Sequence, residues 1–330
     1  MTAPSIGTGA FLAARVPLRS EELLVLLDAV GGPGASVRSA ALSAYTSSFP
    51  IHEMVVTDGP DRHRLVIKDL RWGSLSDAAR LVKQAREHDP DRELGTYRDL
   101  LDPVWGTARF HAGTWDPSSG SAWIAIEHVE GRELYQWDQG GAWIAAVRWL
   151  AGHHRRWSAA VDLQRAESSV PLLHHRPARL GRLGRAAAVS LGDAAHDVAV
   201  AWESASELLA RQPRTLVHGE CYASNVLVGD HDRVAVIDWE TTGIGTGWSD
   251  LAALVAGWGQ TQREELLEEY LRAGAPIEPG ADPEAVLDAA RLQVCLQWLG
   301  SHDDWTAPVE HQHDWYADAV AIADAARWSC

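Results

Sequence analysis

Cysteine is scarce in this 330-residue chain, and Cys221, Cys295 and Cys330 are too scattered to make a disulfide framework. None belongs to a Cys-x-x-Cys pair, so a cysteine metal site is excluded as well. Long apolar runs are missing too: no stretch approaches the ~18 uninterrupted apolar residues of a membrane helix. The opening "MTAPSIGTGAFLAARVPLRS" lacks a basic region followed by an apolar stretch long enough for a signal peptide. These absences lead us to expect a soluble, reduced, cytoplasmic protein. Positive charge is the other shortage. Against 45 Asp and Glu there are 29 Lys and Arg, giving a formal charge of −16, and no Lys/Arg cluster relieves it. Such a surface repels nucleic acid and anionic membranes. It suits a cationic substrate or a basic partner, although solubility alone accounts for it equally well.

What is present is ordinary globular composition, 46% hydrophobic and 22% charged, in a chain long enough for two domains. Residues 20–32 read as a helix with Ser20 as N-cap and a Gly-Gly stop. Residues 37–45, 52–58 and 63–70 read as strands, with the turn "DGPD" joining the last two. Helical patterns follow over 74–88 and 91–101, then a second hairpin, "ARFHAGTWD" and "SAWIAIEHV", across the turn at 117–120. After Gly131 long helical patterns dominate, at 140–157, at 191–212 and from Gly247 onward. The expected layout is an α+β chain with a β-rich N-terminal lobe, 1–130, and a helical C-terminal lobe, 131–330.

One stretch in the second lobe departs from this helical texture. "LVHGECYASNVLVGDHDRVAVIDWE" runs from Leu216 to Glu240, its centre reading strand, turn, strand. Phosphoryl transfer needs phosphate charge neutralised, a divalent metal, and a group that orients the attacking hydroxyl. Glu220 and Asn225 are five residues apart, so one loop can aim a carboxylate at an acceptor while the Asn oxygen faces a metal. Asp238 follows at the end of "VAVID", where a hairpin would return it to Asn225 so that both share one Mg²⁺ through hard oxygens. His218 would brace the loop rather than react. Each of these residues taken singly fits an ordinary turn; together, in this context, they point to chemistry.

"HGE-x4-N-x12-DWE" followed by "SDLA" resembles the motif set of aminoglycoside phosphotransferases and choline-kinase-like enzymes. Their pattern is HGDxxxxN, then D(W/F)E, then DLA. The resemblance extends over roughly residues 40–330. It implies a bilobal protein-kinase-like fold that binds ATP and Mg²⁺, with Asn225 and Asp238 as metal ligands and Glu220 in the place of a catalytic Asp. Asp250 would be a structural acid beneath the core. In the first lobe, Lys68 at the end of "LVIK" stands where the family keeps a phosphate-binding Lys, and Glu93 matches its helix acid. Alternation puts Val66 on the face of Lys68, where it would roof the adenine. The backbone of Glu127 and Val129, in "IAIEHVEG", would meet the adenine edge. Ser47 and Ser48, in "AYTSSFPIH", would meet phosphate, though this stretch lacks a glycine-rich pattern and reads equally as a surface turn.

Glu220 is one methylene longer than the family's Asp, a geometric rather than a pKa difference. The acidic tail of the chain offers Asp303, Asp304, Glu310, Asp314 and Asp318, with Trp298, Trp305 and Trp315. It suggests an aromatic-walled pocket for a cation, against the plainer reading of an acidic helix surface over a tryptophan-packed core. The expectation is an O-phosphotransferase acting on a hydroxyl of a small, cationic molecule such as an aminoglycoside or amino sugar. Nothing in the sequence indicates a protein partner. A Ser/Thr kinase acting on a peptide within a modification complex, and a nucleotide-binding pseudokinase, stand as alternatives.

Overall fold

Alternation along residues 61–69 shapes the first part of the chain. Leu65 and Ile67 turn to one face and are fully buried, while Val66 and Lys68 turn to the other. The computed structural model describes residues 17–43, 48–83, 85, 87–138, 140–175, 187–301 and 313–325. It divides into two compact units, residues 1–129 and 130–330.

The first unit is built on a five-stranded antiparallel sheet in the order β1-β2-β3-β5-β4. Its strands are β1 (Ser36–Leu42), β2 (Ile51–Asp58), β3 (Asp61–Asp69), β4 (Phe110–Asp116) and β5 (Ser121–Glu127). Gly59, at φ +57°, makes the tight turn between β2 and β3 that "DGPD" announces. One sheet face carries Ala40, Met54, Leu65, Ile67, Ala112, Trp123 and Ala125 into a core shared with Leu26 of helix Ser20–Gly31. That helix is capped one residue earlier than expected. Ser20 lies inside it, and the Arg19 N–H donates to the Glu22 carboxylate at 2.8 Å.

The helix expected over 74–88 occupies Asp77–Val82. Trp72–Ser74 form a separate 3₁₀ turn, the Ser76 Oγ accepts from the Ala79 N–H at 3.1 Å, and Lys83 is already extended. The helix expected over 91–101 begins at Pro90, capped by Asp89, and loosens into a π-helical turn at Thr96–Leu100. It lies close against β4 because Gly113 has no side chain. A Cβ there would stand 2.7 Å from Leu94 Cδ1 and 2.8 Å from the Trp123 carbonyl.

In the second unit, helix Pro283–Ser301 packs against helices Ala195–Arg211, Trp248–Leu254 and Trp315–Ala325. Two small sheets sit among the described helices. One, β10-β9-β6, joins Val234–Val236, Val226–Val228 and Arg132–Glu133; the other, β7-β11-β8, joins Leu173–His174, Gly243–Thr246 and Arg214–Val217. The β9–β10 hairpin matches the expected strand-turn-strand. Strands β8 and β11 were not anticipated: at four residues each they carry little alternation, and two residues of β11 are glycines. These short strands bracket the stretch "HGE" to "DWE" and hold its two ends.

Candidate active site

The loop from His218 to Asn225 leaves β8 through Gly219, whose φ of +89° a side chain would resist. Space forbids one as well, since a Cβ there would lie 2.6 Å from the Thr241 carbonyl. Beneath the loop, Asp250 at the start of helix Trp248–Leu254 accepts from the His218 N–H at 2.8 Å and the Gly219 N–H at 2.9 Å. His154 Nε2 donates to the same carboxylate at 3.2 Å, and its Nδ1 accepts from the Tyr270 hydroxyl at 2.7 Å. Burial alone would push the Asp250 carboxyl up, but the His154 hydrogen bond and the other donors outweigh it and hold it below its usual range. Neighbouring His153, pushed down to about 3 by burial, is neutral and gives its Nε2–H to the Leu216 carbonyl at 3.1 Å.

Such a buried carboxylate, once lost, strands its donors. Asp250→Asn lowers the unfolding free energy by ~3–5 kcal/mol, because two amides and an imidazole lose a charged acceptor. Denaturant unfolding of the full chain checks this. A loss below ~1 kcal/mol would show that the loop is held by something else.

His218 is a brace. Its Nε2 donates to the Ile237 carbonyl at 2.8 Å, and its Nδ1 accepts the Glu220 N–H at 3.2 Å. A carbonyl can only accept and an amide can only donate, so the ring is the neutral Nε2–H tautomer, with no lone pair left for a substrate. Its ring centroid lies 4.7 Å from that of the fully buried Trp239, the two rings tilted at 58°. The Glu220 carbonyl accepts twice, from the Tyr222 N–H at 2.8 Å and from Asn225 Nδ2 at 2.9 Å. Glu220 is therefore held at both its backbone polar groups.

That same bond orients Asn225. With Nδ2 committed to a carbonyl, Oδ1 faces the other way. The hairpin then brings the end of β10 back, with the Ile237 N–H donating to the Asn225 carbonyl at 2.9 Å. Asp238 follows at φ +65°, a left-handed backbone uncommon outside glycine, which sets its carboxylate apart from the strand direction. Asp238 and Glu240 each present a carboxylate oxygen, the two within 4.8 Å of each other. Glu240 was given no role in the sequence reading, although it is the last residue of the "DWE" motif. The Asp238 and Glu240 carboxylates are hard-oxygen donors of the kind that fits Mg²⁺, and the Asn225 amide oxygen, at the other end of the hairpin, is of the same chemical type.

In the first unit, Lys68 Nζ meets Glu93 Oε2 at 2.8 Å, their side chains 10% and 5% exposed. Register places Lys68 between Ile51 and Ile124, and Val66 between Glu53 and Ile126, on the sheet face away from the core. Phe49 was not singled out from the sequence; its ring centroid is 5.3 Å from Lys68 Nζ. The Ser48 carbonyl accepts from the Ser76 N–H at 3.1 Å, whereas Ser47 lies outside the described residues. The Glu127 N–H is committed to the Arg109 carbonyl at 2.8 Å, so Glu127 can meet an adenine only through its own carbonyl. Val129 closes the first unit, two residues on.

A protein-family model described as the phosphotransferase enzyme family, APH, matches residues 56–287. The chain belongs to that family. Solved structures share its fold. A putative aminoglycoside phosphotransferase from Ralstonia eutropha superposes with a TM-score of 0.59 at 18% identity, covering 94% of this chain and 97% of that one. A macrolide 2'-phosphotransferase from Brachybacterium faecium gives 0.54 at 19%, covering 92% and 97%. A choline/ethanolamine kinase family protein from Mesorhizobium loti gives 0.53 at 15%, covering 92% and 98%. The search of curated proteins found no match. The expected α+β, protein-kinase-like fold stands, and so does a phosphotransferase. No helix among the described residues is long and apolar enough to cross a membrane.

In this APH-family chain the acidic tail does not offer all the carboxylates that the sequence suggested. Asp318 is taken by Arg291 at 2.6 Å and by His313 at 3.1 Å, so its charge is already matched. Residues 302–312, with Asp303, Asp304, Trp305 and Glu310, lie outside the described residues. Trp298 and Trp315 do meet, stacked at 5.1 Å and 3°.

Proposed function

We propose that this protein transfers the γ-phosphoryl group of ATP to a hydroxyl of a small, cationic molecule, an aminoglycoside, amino sugar or related metabolite, with Glu220 as the base. The observation that carries this reading is the loop clamp. Glu220 is fixed at its N–H by His218 and at its carbonyl by Tyr222 and Asn225, on the loop whose far end is bonded to Ile237, next to Asp238 in sequence. Lys68, set by Glu93, would hold the α- and β-phosphates, and Val66 would cover the adenine. The adenine edge needs one acceptor and one donor, which the Glu127 carbonyl and the Val129 N–H would supply; Ser48 and Ser47 would lie by the phosphates. Asn225, Asp238 and Glu240 would hold Mg²⁺, which supplies neutralisation of the phosphate charge.

The Glu220 carboxylate orients the acceptor hydroxyl and takes its proton. A new acceptor O–P bond forms, the γ-P–O bond to ADP breaks, and the proton passes from Glu220 to water. The net charge of −16 favours a cationic acceptor over an anionic one.

The test is ADP release from Mg²⁺-ATP by the purified chain across aminoglycosides, amino sugars and hydroxylated amines, with and without chelator. Acceptor-dependent, chelator-sensitive release is expected. Metal-dependent nucleotide binding with no release for any acceptor would overturn the small-molecule reading in favour of a peptide acceptor or a pseudokinase. Absence of nucleotide binding would overturn the kinase reading itself.

A further inference from the structure

The catalytic loop is tied at both ends and, through Tyr222, in its middle. Its start is fixed by Asp250 through the His218 and Gly219 amides, and its end by the Ile237 N–H on the Asn225 carbonyl. Between them, the bonds from Tyr222 N–H and Asn225 Nδ2 to the Glu220 carbonyl are internal to the loop, and internal bonds cannot stop it tilting as a body. The middle tie is Tyr222. Its hydroxyl accepts the indole N–H of Trp298 at 2.7 Å, and the two rings meet edge to face at 5.5 Å and 71°. Trp298 belongs to helix Pro283–Ser301, far along the chain, and is itself pinned by its stack on Trp315.

We infer that the Tyr222–Trp298 hydrogen bond positions Glu220, making Tyr222 and Trp298 positioning residues for the proton transfer rather than packing residues only. This rests on the reading of Glu220 as the base. Tyr222 lies two residues after Glu220 and its own N–H holds the Glu220 carbonyl, so any shift of its ring passes to the base through two peptide units, closed by one hydrogen bond. The hydroxyl is suited to accept. Burial, with the Glu220 carboxylate adding to it, pushes its pKa far up, so it stays a neutral phenol whose oxygen can take the indole N–H. A glutamate base, with one more torsion than an aspartate, depends more heavily on a still backbone beneath it. The anchor also sits on the C-terminal helices, so a molecule seated against those helices and the base that acts on it would share one frame.

The experiment uses the full chain with the acceptor that gives the highest ADP release. Tyr222→Phe keeps the ring and removes only the hydroxyl. It is expected to lower kcat on the order of 10-fold with KM for ATP unchanged, while the stranded Trp298 N–H lowers the melting temperature by no more than a few degrees. Trp298→Phe should match it, and the double variant should be no slower than either single, since both remove the same bond. In a Glu220→Gln background, Tyr222→Phe should change the residual rate less than ~2-fold, because a group that acts through Glu220 has nothing left to position. A merely structural role would show the same loss in both backgrounds, and that result would overturn the inference. So would a Tyr222→Phe variant with wild-type kcat. If the wild type itself gives no acceptor-dependent release, the reading of Glu220 as base fails and takes this inference with it. The wild-type rate tells the two failures apart.

Discussion

Asp238→Ala lowers acceptor-dependent ADP release by at least ~10³-fold, a loss larger than the removal of one neutral hydrogen-bond donor from a charged site would give. The reason lies in how the chain presents this side chain. Asn225 and Asp238 are thirteen residues apart in sequence, and the β9–β10 hairpin closes that gap, with Ile237 bonded to the Asn225 carbonyl. Asp238 then takes a left-handed backbone that a strand would never ask of it. A non-glycine residue in that region costs on the order of 1 kcal/mol, and sites that persist in such conformations are commonly functional. Alanine adds strain there as well as removing the carboxylate, so Asp238→Asn is the sharper variant. Asparagine tolerates the left-handed region and keeps the volume, changing only the charge. Both variants should bind ATP without the wild-type dependence on Mg²⁺, measured by titration with and without chelator. An Asp238→Asn enzyme at wild-type rate would remove Asp238 from the metal site.

What the sequence made legible follows from period and from local chemistry. Period two along "HRLVIKDL" separated Leu65 and Ile67 from Val66 and Lys68, and the sheet is built on that separation. "DGPD" specified a turn because glycine supplies the positive φ it needs. The spacing of His218, Glu220, Asn225 and Asp238 was readable because a loop and a hairpin are local structures. Contacts between distant segments were not readable. Nothing near Asp250 in sequence announces that His154 and Tyr270 will converge on its side, and nothing near Tyr222 announces Trp298. Gly113 reads as an ordinary strand residue; only the approach of Leu94 gives it a reason. One carboxylate of the tail, Asp318, misled for a related cause. Asp318 looked available until Arg291, twenty-seven residues earlier, proved to lie against it. Charge on a helix says little until the facing helix is known.

Replacing Glu220 by Gln and by Asp separates two accounts of the longer base. Glu220→Gln keeps the shape and removes the proton acceptor, and should lower kcat by ~10²–10⁴-fold with KM for ATP unchanged. Glu220→Asp keeps the acceptor and withdraws it by about one C–C bond. If the surrounding loop could slide forward, aspartate would lose little. The geometry says it cannot: Asp250 holds the start of the loop through the His218 and Gly219 amides, the Trp298 indole holds Tyr222, and the Ile237 N–H holds the end at the Asn225 carbonyl. With the backbone fixed, a displacement of about 1 Å costs on the order of 10²-fold, so Glu220→Asp should fall toward the Gln variant rather than approach wild type. A rate for Glu220→Asp equal to or above wild type would show that the site is built around an aspartate reach, and that the glutamate carboxylate reaches its working position only by folding back. Equal rates for Gln and wild type would go further and remove Glu220 from the chemistry, leaving catalysis to phosphate neutralisation and positioning alone. The three rates, taken under one saturating concentration of acceptor and nucleotide, decide whether this loop was shaped to fit a glutamate.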